Sequence, residues 1–338
     1  MDGFRGRALR ASRWVAGCAL AMGLSAGWTA EPAKSSDSRS PQAADGQEKT
    51  APDSAGAAKE PSLAAQIRDA LDGRGGATLN LGKSAKEKAL ATAPKPAARA
   101  RAPSPGGHRP GAWGYGGVHG PEGWAGLDPG YALCGAGERQ SPIHIESKSA
   151  LRGPSDDLEF RYKPTAGSVV NNGHTFQVDL AEGSELVARG EVYRLEHIQF
   201  HHPSEEKIDY KGFAMAAHLV HRSDTGRLAV VAVELDMGEP NAAVARAWRS
   251  LPLDAGDKSG MGAAGLDASE LLPPEGKRKY FQFMGSLTTP PCTEEVLWLV
   301  LKTPMTVSSG QVDIFTRFFP MNARPVQPVH GRLIREQE

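Results

Sequence analysis

Leu195-Glu196-His197-Ile198-Gln199-Phe200-His201-His202 and Phe213-Ala214-Met215-Ala216-Ala217-His218-Leu219-Val220-His221 are the two stretches that decide how this chain folds. Side chains two apart on an extended strand share a face, so His197, Gln199 and His201 point one way while Ile198, Phe200 and His202 point the other. Five of the ten histidines fall in these two stretches. Two such strands side by side bring His218 to His201. Neutral imidazoles projecting from neighbouring strands into one cavity make a zinc site, with metal-to-nitrogen distances of about 2.0 to 2.1 Å. The spacing alone leaves a second reading open, that of ordinary hydrogen-bonded histidines in a strand-built core.

Around these two stretches the pattern continues in kind. Phe176, Val178 and Leu180 alternate with polar residues, and Leu228 to Leu235 and Val296 to Leu301 are nearly continuous apolar runs of the sort found in central strands. Two helices interrupt them. Asn241 to Leu251 places Val244, Trp248 and Leu251 on one face, and in Ser308 to Phe319 the pair Ser308 and Gln311 forms a capping-box pattern ahead of Val312, Phe315 and Phe319. Residues 111–338 are therefore expected to form one strand-rich domain large enough for its own core. It contains no internal repeat and no phosphate-binding glycine loop.

The first 110 residues read differently. Arg5, Arg7, Arg10 and Arg13 precede an apolar run from Trp14 to Gly27 that is too short to span a bilayer, followed by small residues, so 1–30 is expected to be a secretory signal. Most of the apolar run follows Cys18 rather than preceding it, the wrong order for lipidation. Residues 31–110 are dominated by Ala, Pro, Ser, Gly, Lys and Asp, too poor in apolar side chains to offset ordering entropy, and are expected to be a disordered linker. Within it Ser62 to Gly73 carries helix signals, with Leu63, Ile67 and Leu71 four apart. The 39 basic and 39 acidic residues cancel, which argues against nucleic acid or an anionic membrane as partner. Once the signal is removed no transmembrane segment is expected, and the product is expected to be periplasmic or secreted. Two cysteines then remain, Cys134 and Cys292, and an exported chain favours joining them.

Trp113-Gly114-Tyr115-Gly116, Gly120-Pro121-Glu122, Gly137-Glu138-Arg139-Gln140-Ser141-Pro142, Asn171-Asn172-Gly173-His174, His218-Leu219-Val220-His221, Ser286-Leu287-Thr288-Thr289-Pro290-Pro291-Cys292 and Asn322-Ala323-Arg324-Pro325 follow one another along the chain. Together they resemble the successive signature blocks of the α-class carbonic anhydrases, in that family's order, from Trp113 to the C-terminus. The resemblance implies a central twisted, mainly antiparallel sheet of about ten strands, mostly β with short helices. It also implies a cavity ending at zinc, a Cys134–Cys292 disulfide as in bacterial secreted members, and reversible hydration of carbon dioxide to bicarbonate.

Residue by residue, it implies that His201 and His218 are two of three zinc ligands. It implies that Thr288 accepts a hydrogen bond from the attacking hydroxide, that Glu205 orients Thr288, and that Thr289 lies at the substrate entrance. His174 matches the proton shuttle, Tyr115 belongs to the catalytic surroundings, and Val220, Val230, Leu287 and Trp298 match the apolar wall against which carbon dioxide rests. The sequence departs from the family at the metal. The family's strand reads Gln-Phe-His-Phe-His, whereas here His197-Ile198-Gln199-Phe200-His201 puts Gln199 in the place of the first ligand and His197 in that of a supporting glutamine. An amide oxygen is a weaker zinc donor than imidazole. His197 lies about 13 Å from His201 between Cα atoms on a regular strand, a long span unless a bulge shortens it. A bulge would equally be needed to turn His202 inward. Ala216 replaces the glutamate that usually supports the third ligand, so His218 must find another partner. Two functions follow from the resemblance: a zinc-dependent carbonate dehydratase impaired at Gln199, or a related domain without turnover that binds or scaffolds.

Overall fold

The computed structural model describes residues 112–154 and 157–338. The expected signal, the linker and its Ser62 to Gly73 helix lie outside the described residues. The alternation at Phe176 and Val178 forms a hairpin of β1 (Gly167–Asn171) and β2 (Phe176–Leu180). Its turn is shaped by Gly173, at φ 84°, and by Asn172, whose Oδ1 accepts the backbone N–H groups of His174 at 3.0 Å and Thr175 at 2.9 Å.

Then β3 (Glu191–His201) pairs antiparallel with β2, β4 (Met215–Ser223) with β3, and β5 (Leu228–Met237) with β4. Further along, β6 (Tyr280–Ser286) lies antiparallel to β7 (Glu294–Leu301), and β7 lies parallel to β5. Among the described residues thirteen strands join one mixed, mainly antiparallel sheet, ten in a continuous path and the rest attached at its side. The fold class read from the sequence is the one observed.

Both anticipated helices form, slightly shorter than their signals. Asn241 caps α1 (Ala242–Trp248) by accepting the Val244 N–H at 3.1 Å, and Ser308 with Gln311 makes the reciprocal capping box of α2 (Ser309–Thr316). Trp248 and Phe315 pack with Phe176 and Phe200 on one face of the sheet, where the main core also takes Ile198, Leu219, Val231 and Val233. The opposite face of the same central strands buries Val220, Val230, Ala232, Val296, Trp298 and Val300 in a second apolar cluster, with Leu287 packed against it. Strand alternation thus divides the central strands between two cores and leaves His197, Gln199, His201 and His218 on the second face.

The segment before the sheet is tied down by a disulfide between Cys134 and Cys292, which packs with Trp124 among Trp113 and Tyr115. The bond closes 158 residues of chain, so in the chain-entropy model it contributes about 4 to 5 kcal/mol. Cys134→Ser with Cys292→Ser should lower the urea midpoint by that order under oxidising conditions. Under reducing conditions, wild type and double variant should unfold at nearly the same midpoint.

Candidate metal centre

Strand register brings the two histidine stretches together. Gln199 lies opposite His218 and His201 opposite Ala216. The His201 and His218 rings stand 4.6 Å apart between centroids, and His218 also meets the edge of Trp298 at 5.0 Å. Both imidazoles are fully buried. Burial holds His201 below the usual imidazole range despite the opposing pull of Glu205, and pushes His218 down to about 3, so both are neutral at physiological pH.

Their hydrogen bonds decide which nitrogen is free. The acceptor of His201 Nδ1 is the Asn322 carbonyl at 2.9 Å, so Nδ1 carries the proton and donates. That leaves Nε2 as a buried lone pair with no partner. On His218, Nε2 lies 3.1 Å from Oε2 of Glu206, while Nδ1 stands on the side of Glu205, 3.6 Å from its Oε2. A buried imidazole lone pair without a hydrogen-bond donor, at His201 Nε2, with the His218 ring beside it, fits a zinc ion. Among the described residues, the His, Cys, Asp and Glu side chains that bring donor atoms within 4.8 Å of one another are His201, Glu205 and His218.

The remaining ligand candidates are placed as follows. Gln199 projects on the same face, and its Nε2 donates to Oε1 of Gln177 at 3.1 Å, leaving the amide oxygen as its donor toward a cation. The strand does bulge, between Leu195 and His197, but His197 still lies opposite Val220 and is paired in register with Asp179. Together with Glu196, Asp179 and Arg222 it lines a shallow depression at the other end of the strand from His201. His202 points away: its Nδ1 donates to the Ala214 carbonyl at 2.8 Å. His221, on the main-core face, lies 2.7 Å from the Tyr162 hydroxyl through Nε2.

Glu205 sits beneath the pair. One of its oxygens accepts the Arg324 backbone N–H at 2.7 Å, and the other stands 3.5 Å from His201 Nδ1 and 3.6 Å from His218 Nδ1. Burial pushes this carboxyl up to about 7, against the opposing effects of His201, the Arg324 N–H and the Thr288 hydroxyl. Thr288 is itself buried, while Thr289 and Leu287 beside it are half-buried. Tyr115, with Trp113 and Trp124, closes another side; burial first and the Glu205 charge second hold its phenol protonated. His174 is half-buried and stacks face to face on Trp113 at 3.6 Å, and burial lowers its pKa from the ordinary imidazole value.

Several residues that build this site carried no assigned role in the sequence. Asn322 Nδ2 donates to the carbonyls of Phe200 at 2.9 Å and His174 at 3.0 Å, and its Oδ1 accepts the His202 N–H at 2.7 Å. Glu206 and Glu234 are fully buried carboxyls close to His218 and Glu205. A signal for Glu234 was present, since it is the one charge inside the apolar run from Leu228 to Leu235. Glu206 had only its adjacency to Glu205.

Buried histidines grouped with a carboxyl on neighbouring strands of a mixed sheet are an arrangement suited to a metal-dependent enzyme. The family model for eukaryotic-type carbonic anhydrase matches residues 119–338, and the chain belongs to the α-carbonic anhydrase family. It is 41% identical over 227 residues to the carbonic anhydrase of a Nostoc species, covering 66% of this chain and 85% of that one. It is also 41% identical to that of Neisseria gonorrhoeae over 226 residues, covering 66% and 87%. The α-carbonic anhydrase of Thermovibrio ammonificans, solved with sulfanilamide, superposes with a TM-score of 0.64 at 37% identity, covering 68% of this chain and 99% of that structure. Members of the family are zinc enzymes acting on carbon dioxide and bicarbonate.

Asn322→Ala removes two donors and one acceptor from buried backbone groups and should destabilise the domain by about 2 to 4 kcal/mol, read from the urea midpoint. Trp113→Ala exposes the His174 ring and should raise its pKa toward the ordinary value, which a titration of its imidazole proton resonances by NMR would show.

Proposed function

We propose that this domain is an exported, zinc-dependent carbonic anhydrase whose metal is held by His201, His218 and the amide oxygen of Gln199. The observation that carries the proposal is the buried, unpartnered His201 Nε2 beside a second buried imidazole, His218, the two grouped with Glu205 so that their donor atoms lie within 4.8 Å of one another. A neutral imidazole with a free buried lone pair has lost hydration and gained nothing unless a cation supplies the bond. Zinc, when bound, supplies the Lewis acidity that turns water into a nucleophile near neutral pH, chemistry for which carbonic anhydrase is the standard example.

The chain's own groups do the rest. Glu205, anchored by the Arg324 N–H, accepts a hydrogen bond from the Thr288 hydroxyl, so that the threonine oxygen presents its lone pair to the attacking oxygen. Val220, Val230, Leu287 and Trp298 form an apolar wall on the same face, which excludes water where carbon dioxide rests. Thr289 borders the entrance. His174 carries protons between the site and solvent, a task suited to an imidazole, whose pKa burial lowers here. Among the described residues no helix is long and apolar enough to cross a membrane. The arginine-led apolar N-terminus supports export to the periplasm or beyond, with the Ala/Pro/Ser-rich segment as a tether.

A second reading rests on Gln199, already engaged with Gln177, and on Ala216: a domain of this fold that binds a partner and no longer turns over. Metal analysis and stopped-flow hydration separate the two. Refolded with zinc and dialysed, the wild type should hold about one equivalent and hydrate carbon dioxide, with a sulfonamide blocking it. Gln199→His should tighten zinc binding by about tenfold or more. A wild type that takes up no zinc and stays inactive until Gln199→His is made would establish the second reading instead.

A further inference from the structure

The alanine at 216 leaves His218 without the carboxylate that a glutamate there would provide from the same strand, yet a carboxylate reaches this imidazole from elsewhere. Register sets His201, Ala216 and Glu234 in one row across β3, β4 and β5, with Gln199, His218 and Ala232 in the next. Residues in one row share a face, so Glu234 rises on the strand adjoining Ala216, where a methyl group takes the least room. Glu206 arrives from the turn after β3. Its backbone is fixed by Ser204, whose hydroxyl donates to the Glu206 carbonyl at 3.2 Å while accepting the Phe213 N–H at 2.8 Å.

From that position Glu206 Oε2 stands 3.1 Å from His218 Nε2, and as a carboxylate beside a bound cation it accepts that N–H. Neither Glu206 nor Glu234 is paired with a Lys or Arg side chain among the described residues, and Glu206 Oε1 and both Glu234 oxygens have no hydrogen-bond partner. Burying carboxyls in this way costs several kcal/mol, which apolar side chains of similar volume would avoid. The contact that this arrangement secures is the one to His218.

We propose that Glu206 is the positioning residue of His218, replacing from the turn the carboxylate that Ala216 does not supply from the strand, with Glu234 filling the volume beside it. Accepting the Nε2 proton fixes the tautomer in which Nδ1 is bare, holds the ring plane, and makes the imidazole a stronger donor. This rests on the reading of His218 as a metal ligand. It assigns no contact between Glu206 and substrate.

The test is zinc affinity, measured by competition with a chromophoric chelator, alongside the visible spectrum of the cobalt(II)-loaded protein. Glu206→Gln, nearly isosteric, should weaken zinc binding by about tenfold and Glu206→Ala by up to about a hundredfold. The cobalt bands should shift in both. Glu234→Gln removes a neighbouring buried carboxyl without touching His218 and should leave affinity and spectrum close to wild type. Ala216→Glu added to Glu206→Ala should recover affinity. Thermal unfolding of each metal-free variant shows that it is folded. Wild-type affinity in folded Glu206→Gln, or equal losses in Glu206→Gln and Glu234→Gln, would overturn the inference while leaving the zinc site intact. A wild type that binds no zinc would remove the functional reading and this inference with it.

Discussion

The pairing of β3 with β4 is the constraint on which the rest depends. Because side chains alternate with a period of two, sliding one strand by a single residue would turn Gln199 and His201 into the main core and Ile198 and Phe200 into the pocket. That slip is prevented by what lies on the other face. Ile198, Phe200, Ala217 and Leu219 are buried in one core with Trp248 and with Phe315 of α2. Burying such side chains is worth about 1.5 to 3 kcal/mol each for the larger ones. The hydrophobic core therefore sets the register, and the register sets the histidines. The irregularity between Leu195 and His197 is absorbed at the outer end of the strand, away from His201.

Within that frame the electrostatics are set by burial and suit the proposed cation. Burial keeps His197, His201, His218 and His221 neutral, and pushes Glu205, Glu206 and Glu234 toward protonation. Desolvation drives each of these shifts, and it acts in opposite directions on bases and acids. A divalent ion among these groups reverses the balance by favouring carboxylates and binding bare imidazole nitrogens. The polar floor is also tied to distant chain segments. Arg324 gives its backbone N–H to Glu205 while its guanidinium donates to Gln140 Oε1 and to the Ser141 and Cys134 carbonyls, beside the disulfide. Residues near both ends of the domain thus converge on one carboxylate and hold it still.

Much of this was legible in the residues. Alternation at Phe176 and Val178, the apolar runs at Leu228 and Val296, and the caps at Asn241 and Ser308 are local signals, and local backbone preference and periodicity are enough to place strands and helices. The signature blocks that resemble the α-carbonic anhydrases then supplied the family, and with it the grouping of His201, His218, Glu205 and Thr288. The Cys134–Cys292 bond was expected from the two cysteines left once the expected signal is removed, and it is present.

By itself the sequence determined that strands would carry histidines on one face, that glutamine would stand where a third imidazole was expected, and that Ala216 would leave His218 short of a partner. These are properties of identity and spacing along one chain. Only the tertiary structure decided that the Asn322 carbonyl accepts the His201 Nδ1–H, that His174 lies flat on Trp113, and that Glu206 reaches His218 from a turn while Glu234 comes up beside Ala216. Each of those contacts joins residues from different elements. Their geometry is set by strand register and loop packing, which no local pattern encodes.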